Sequence, residues 1–158
     1  ALMGYGHLKL VNLHNAGRID PAKVVLFGSR DVEEDEGKLI SRSGVREYPY
    51  EKILKDGFKE SLDDALGYLA KKSRYLHLSV DLDSMNPVDI MGVSTPVPGG
   101  FKVNQVIDLI KKAVMKFEVT SVDIVEYNPL HDRGEVTLDT MVMLVGILEK
   151  LLADRYSV

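Results

Sequence analysis

The segment 77–100, HLSVDLDSMNPVDIMGVSTPVPGG, sets Asp81 and Asp83 two residues apart at the end of an apolar run. Alternate side chains of an extended strand share a face. His77, Ser79, Asp81 and Asp83 are therefore expected on one side, and Leu76, Leu78, Val80 and Leu82 on the other. Both carboxylates then point the same way, with α-carbons roughly 6.5–7 Å apart. Adjacent, partly buried carboxylates repel and tend to hold a proton between them. A divalent cation removes that conflict, and oxygen donors suit hard or borderline ions such as Mn²⁺ and Mg²⁺. Asp-x-Asp alone fits a solvated strand end equally well. Pro87, Pro96, Pro98, Gly99 and Gly100 make a constrained loop able to cover a site here.

The elements that must position this pair follow from periodicity. Residues 24–28, VVLFG, read as a parallel strand buried on both faces. Residues 76–83 and 121–125 read as further strands, and 45–49 as a weaker one. Helical patterns occupy a short segment near 3–13, then 34–43 with Gly44 as its stop. A third pattern runs over 51–72 and is broken near Gly57, and a fourth covers 103–117. The last, about 136–153, is apolar nearly all round its middle and is expected to be buried by a neighbouring element or subunit. Strands alternating with helices imply right-handed crossovers and an α/β fold of three layers, α/β/α, with a mostly parallel sheet. Ligands of such sheets sit beyond the carboxyl ends of the strands, where Asp81, Asp83 and Glu126 fall.

At 158 residues the chain has the size of one domain, and no internal repeat or linker divides it. A net charge of -4 carries no footprint for nucleic acid or anionic membranes. The absence of cysteine excludes disulfides, thiolate metal sites and a cysteine nucleophile. No run is long enough to span a membrane and the N-terminus lacks a signal-peptide layout, so the expected compartment is the cytoplasm. There is no G-x-S-x-G elbow and no P-loop, and GYGHLK lacks the third glycine of a dinucleotide motif. Tyr48 and Tyr50 are isolated aromatics, read as packing rather than as a base-stacking platform.

The 24-residue context resembles the ureohydrolase family, which includes arginase and agmatinase. Its signature of Ser, apolar, Asp, apolar, Asp, three residues and Pro stands here as Ser79-Val80-Asp81-Leu82-Asp83 and Pro87, followed by Thr95-Pro96 and Gly99-Gly100. SVDIVEYNPLHDRGEVT at 121–137 is similar to the family's next landmark, and VVLFGSRDVEEDE at 24–36 to the arginase version of the preceding strand and loop. The resemblance implies that residues 1–158 are the C-terminal portion of an arginase-like domain with the arginase/deacetylase-like fold. It implies a cofactor of two Mn²⁺ ions, with Asp81 bridging them and Asp83 binding one. Glu126 would face the substrate guanidinium, and Thr95 would line the same pocket. Arg30, Asp31 and Glu33 would lie on the loop that recognises the amino-acid end of the substrate. Asn86, Met91 and Glu33 depart from the family's usual aspartate, proline and aspartate. As bare sequence, DVEEDE reads as a solvated acidic run at a helix N-terminus.

The family's six metal ligands come from three motifs, and Gly-Gly-Asp-His and Asp-Ala-His-x-Asp do not occur here. By that resemblance four of six ligands are absent from this chain. His7 and His14 fall outside both motifs, as do His77 and His131. His77 is read as structural or as support for the metal strand. The expected activity is cleavage of a guanidino group to release urea, arginine to ornithine first and agmatine or another guanidino compound as the alternative. The chain alone is expected to be inactive. Its expected partners are a small guanidino substrate and an N-terminal half or further copies of itself, as a homo-oligomer of the trimeric or hexameric kind. A non-catalytic assembly module that keeps the fold is the competing reading. Histidine motifs encoded upstream of Ala1 would decide for the enzyme.

Overall fold

The computed structural model describes residues 3–13 and 17–156, so His14 lies outside the described residues. The helices are α1 (Leu8–Val11), α2 (Glu34–Ser43), α3 (Tyr50–Asp56), α4 (Phe58–Ala70), α5 (Val103–Lys116) and α6 (Val136–Tyr156). The strands are β1 (Val25–Phe27), β2 (Arg46–Tyr48), β3 (Tyr75–Asp81) and β4 (Glu118–Val125). β1 pairs with β2 and β3 with β4, both in parallel, as the alternating sequence pattern requires. A helix lies in each connection, α2 in the first and α5 in the second.

Helix ends are set locally. Glu34, Asp35 and Glu36 occupy the first turn of α2, where the helix dipole favours negative charge. Gly44 ends α2 at φ 87, a left-handed conformation that glycine adopts at low cost. Gly57, at φ 95, splits the long apolar pattern into α3 and α4 at the expected place. Asp132 caps α6, its carboxylate accepting the Thr137 N–H at 3.0 Å and the Leu138 N–H at 2.9 Å.

Val106, Ile110, Ala113 and Val114 form the buried stripe of α5. Ala113 packs with Phe117, Leu62 and Leu66 against Leu76 and Leu78 of β3. The main core joins Val80, Val106, Ile110, Leu144 and Leu148 to Leu82, Met85, Ile90, Val93 and Phe101. The last five belong to the segment just beyond β3. The loop that follows the aspartates is thus anchored in the core.

The structure departs from the expectations at several elements. β1 is shorter than the run 24–28, and Leu26 in its middle is exposed because only one side of the strand meets the core. β3 ends at Asp81, since the chain turns through a single 3-10 turn, Leu82–Ser84. The cover expected on both faces of β3 is incomplete within this chain. Leu76, Leu78 and Val80 pack inward, whereas Tyr75, His77 and Ser79 are exposed. Helix α6 is buried at Thr137, Leu144 and Leu148, yet Val142, Met143 and Val145 face solvent. No described helix is long and apolar enough to cross a membrane.

Candidate metal centre

The carboxyl end of β3 carries the acidic pair. Asp81 Oδ1 accepts the Asp83 N–H at 3.1 Å, and this bond closes the turn that takes Asp83 off the strand. The Ser84 hydroxyl donates to the Asp81 carbonyl at 2.6 Å and tightens the same turn. Sharing of a face by strand alternation therefore fails at Asp83. A side chain-to-backbone hydrogen bond outcompetes the extended conformation there. The carboxylates nevertheless meet, because the turn folds the second back beside the first. Burial, the charge of Asp83 and the more weakly felt charge of Glu126 push the Asp81 carboxyl up from 3.8 to about 6.

Thr95 Oγ1 donates to Asp83 Oδ2 at 2.8 Å, so the loop reaches back over the pair. Glu126 follows β4 directly and stands at φ 68, a left-handed conformation uncommon outside glycine. Its neighbour Tyr127 bridges to Val93 of the loop. Asp81, Asp83, Thr95 and Glu126, from three separate segments, are brought together. Asp31 and Glu33 are exposed on the segment after β1 and make no side-chain hydrogen bond or ion pair with described residues.

Neither Asp81 nor Asp83 has a lysine or arginine ion-pair partner among the described residues. That surplus of negative charge on oxygen donors fits a hard divalent cation in kind. It does not suffice in number, since no group of three or more His, Cys, Asp or Glu among the described residues could hold a metal ion. His77 sits further down the strand, between Ser121 Oγ at 2.8 Å and Asp123 Oδ2 at 3.3 Å. His7 accepts the Lys9 N–H and caps α1. His131 Nδ1 lies 2.8 Å from the Val93 carbonyl and so helps hold the loop.

Sequence reasoning missed most of what holds this loop. The Gly92 N–H donates to Thr137 Oγ1 at 2.8 Å, and Asn128 Nδ2 donates to Ser94 Oγ at 3.0 Å. Phe101 closes the loop base, stacked on Phe27 at 5.6 Å and edge-on to Tyr50 and Phe58. The Arg30 guanidinium donates to the Val97 carbonyl at 2.9 Å and to the Asp83 carbonyl. The one sequence signal for these ties was the arginine itself, next to the acidic run.

Parallel strands that end in an acidic pair without a basic ion-pair partner among the described residues, under a loop pinned across it, are the frame of an α/β protein with a candidate site at its strand ends. The profile of the arginase family matches residues 8–150, and the chain belongs to that family. Arginase of Bacillus subtilis strain 168 is 37% identical over 154 residues, covering 97% of this chain and 51% of its own length. Arginase of Brevibacillus brevis is 33% identical over 155 residues, covering 96% and 52%. The crystal structure of arginase from Bacillus cereus superposes with a TM-score of 0.86 at 32% identity, covering 92% of this chain and 50% of that one. The chain thus spans about half the length of the relatives it matches.

Proposed function

We propose that residues 1–158 form part of a binuclear manganese hydrolase that cleaves a guanidino group and releases urea, with arginine as substrate and ornithine as the second product. The carrying observation is the Asp81–Asp83 pair, without a basic ion-pair partner among the described residues and roofed by Thr95, in a chain of the arginase family. Asp81 and Asp83 would hold the metal ions, whose chemistry when bound is to activate water near neutral pH. Bound positive charge would favour the Asp81 carboxylate and offset the burial and the Asp83 charge that raise its pKa. Thr95 orients the Asp83 carboxylate by donating to Oδ2. Glu126 offers a carboxylate to the planar guanidinium, a matched fork-to-fork geometry. Asp31 and Glu33 are exposed and bear the charge to meet the α-ammonium end of arginine.

The reading is tested on the protein produced from its complete open reading frame. With Mn²⁺ present it is expected to release urea from arginine faster than from agmatine, and Asp81→Asn is expected to abolish that release. Absence of urea from either substrate would reject the activity. Residues 1–158 alone are expected to release none, because two ligands make an incomplete metal shell. Urea production by this piece at a rate ordinary for complete enzymes would overturn that part.

A further inference from the structure

Three segments carry Asp31 and Glu33, Asp83, and Thr95: 30–33 after β1, the turn 82–84, and the loop 94–100. One side chain ties all three. Arg30 belongs to the first by its backbone, and its Nη2 donates to the Asp83 carbonyl of the second. Its Nη1 donates to Val97 of the third at 2.9 Å, with a longer contact to the Pro98 carbonyl at 3.4 Å. The guanidinium lies 5.7 Å from the centre of the Tyr50 ring, and the Tyr50 hydroxyl donates to the Gly100 carbonyl at 2.8 Å.

The space for this arrangement is built in. At Gly100 a methyl group would stand 2.5 Å from Arg30 Nη1 and 2.7 Å from the Met85 backbone, so only glycine leaves the guanidinium its slot. All the acceptors are backbone carbonyls, and Arg30 has no ion-pair partner among the described residues. A planar fork with separated donors can span two carbonyl sites at once, whereas a lysine ammonium is a single point.

We infer that Arg30 is a positioning residue that brackets the Asp83 turn and the Thr95 loop, fixing the Asp83 carboxylate for cation binding without touching it. The inference rests on the metal reading above and adds a residue to it. Loss of the bracket frees the Asp83 backbone and, through Val97, the segment that carries Thr95. Removing a group that orients a metal ligand typically costs about 10–100-fold in metal affinity or activity.

The experiment uses the complete open-reading-frame product with Arg30→Met, Arg30→Lys and Asp81→Asn. Mn²⁺ affinity is read from the resonance signal of free Mn²⁺, and loop order from hydrogen exchange of peptides spanning 92–101 in the metal-free protein. Arg30→Met is expected to weaken Mn²⁺ binding about 10–100-fold. It is also expected to speed exchange in that loop by about tenfold or more, the loss of its tethering hydrogen bonds acting before any metal is present. At saturating Mn²⁺, kcat is expected to fall by a larger factor than KM rises, because Arg30 acts on the Asp83 turn and is given no contact of its own with substrate. Arg30→Lys falls between parent and Arg30→Met. Affinity and exchange within twofold of the parent in Arg30→Met overturn the bracket. If that variant loses its native circular dichroism, Arg30→Lys decides, and its identity with the parent overturns the proposal. Unchanged Mn²⁺ affinity in Asp81→Asn rejects the metal reading instead, and the exchange measurement then still decides the role of Arg30.

Discussion

Asp81 holds its proton up to about 6, against an ordinary 3.8, because it is half buried and faces the charge of Asp83. Its native form binds a proton more tightly than its unfolded form. Between 3.8 and about 6 the folded chain is therefore the more protonated state, and stability falls as pH rises through that window. Asp81→Asn removes the penalty and can still accept the Asp83 N–H. It is expected to raise the melting temperature of the metal-free protein at pH 7 and to leave it unchanged at pH 3.5, checked by thermal scans across pH. Equal melting at pH 7 would show that the conflict is screened by solvent. Glu126 poses the opposite test, since its φ of 68 costs a non-glycine residue about 1–2 kcal/mol. Glu126→Gly gives back that strain against about 0.5–1 kcal/mol of glycine entropy, so the fold should be unchanged or slightly more stable. In the complete open-reading-frame product, the urea release proposed above is expected to vanish with the same substitution. A melting temperature lowered by several degrees would show that the Glu126 side chain supports structure instead.

At the scale of elements, the segment from Met85 to Phe101 behaves as part of the core rather than as a free lid. Met85, Ile90, Val93 and Phe101 are each 3% exposed or less. The Asn86 N–H donates to the Phe101 carbonyl at 3.0 Å, and the Phe101 N–H donates to the Ser84 carbonyl at 3.0 Å, which shuts the base of the loop. Phe101→Ala is expected to cost about 3–5 kcal/mol by opening a cavity among Phe27, Tyr50 and Phe58. Gly28→Ala reaches the same ring from the other side. A methyl there would lie 2.2 Å from Phe101 Cε2 on a backbone at φ 94. The combined strain and overpacking are expected to cost about 2–5 kcal/mol, and denaturant titration checks both variants. These helices and strands were legible in the sequence because their apolar residues recur with period. The anchoring of 85–101 was not. A Pro- and Gly-rich stretch has no period to mark Ile90 or Val93 as buried.

For the whole molecule, two surfaces stand out. The β3 face bears Tyr75, His77 and Ser79, with the His77 side chain 54% exposed. Helix α6 presents Val142 at 60%, Met143 at 42% and Val145 at 42% exposure. Apolar exposure of this kind favours association. Residues 1–158 are expected to self-associate at micromolar concentration, as read by sedimentation velocity. A monodisperse monomer would refute this.

The sequence alone determined the types and order of the elements, the acidic pair at a strand end and the kinship with ureohydrolases. Each of these depends on residue type or on spacing of a few residues, which a linear chain displays directly. Tertiary structure decided that Asp83 leaves the strand, that Thr95 and Asp83 meet, and that Arg30 grips carbonyls 53 and 67 residues away. Those contacts join segments through the packed core, and no local pattern encodes which backbone carbonyl an arginine will find.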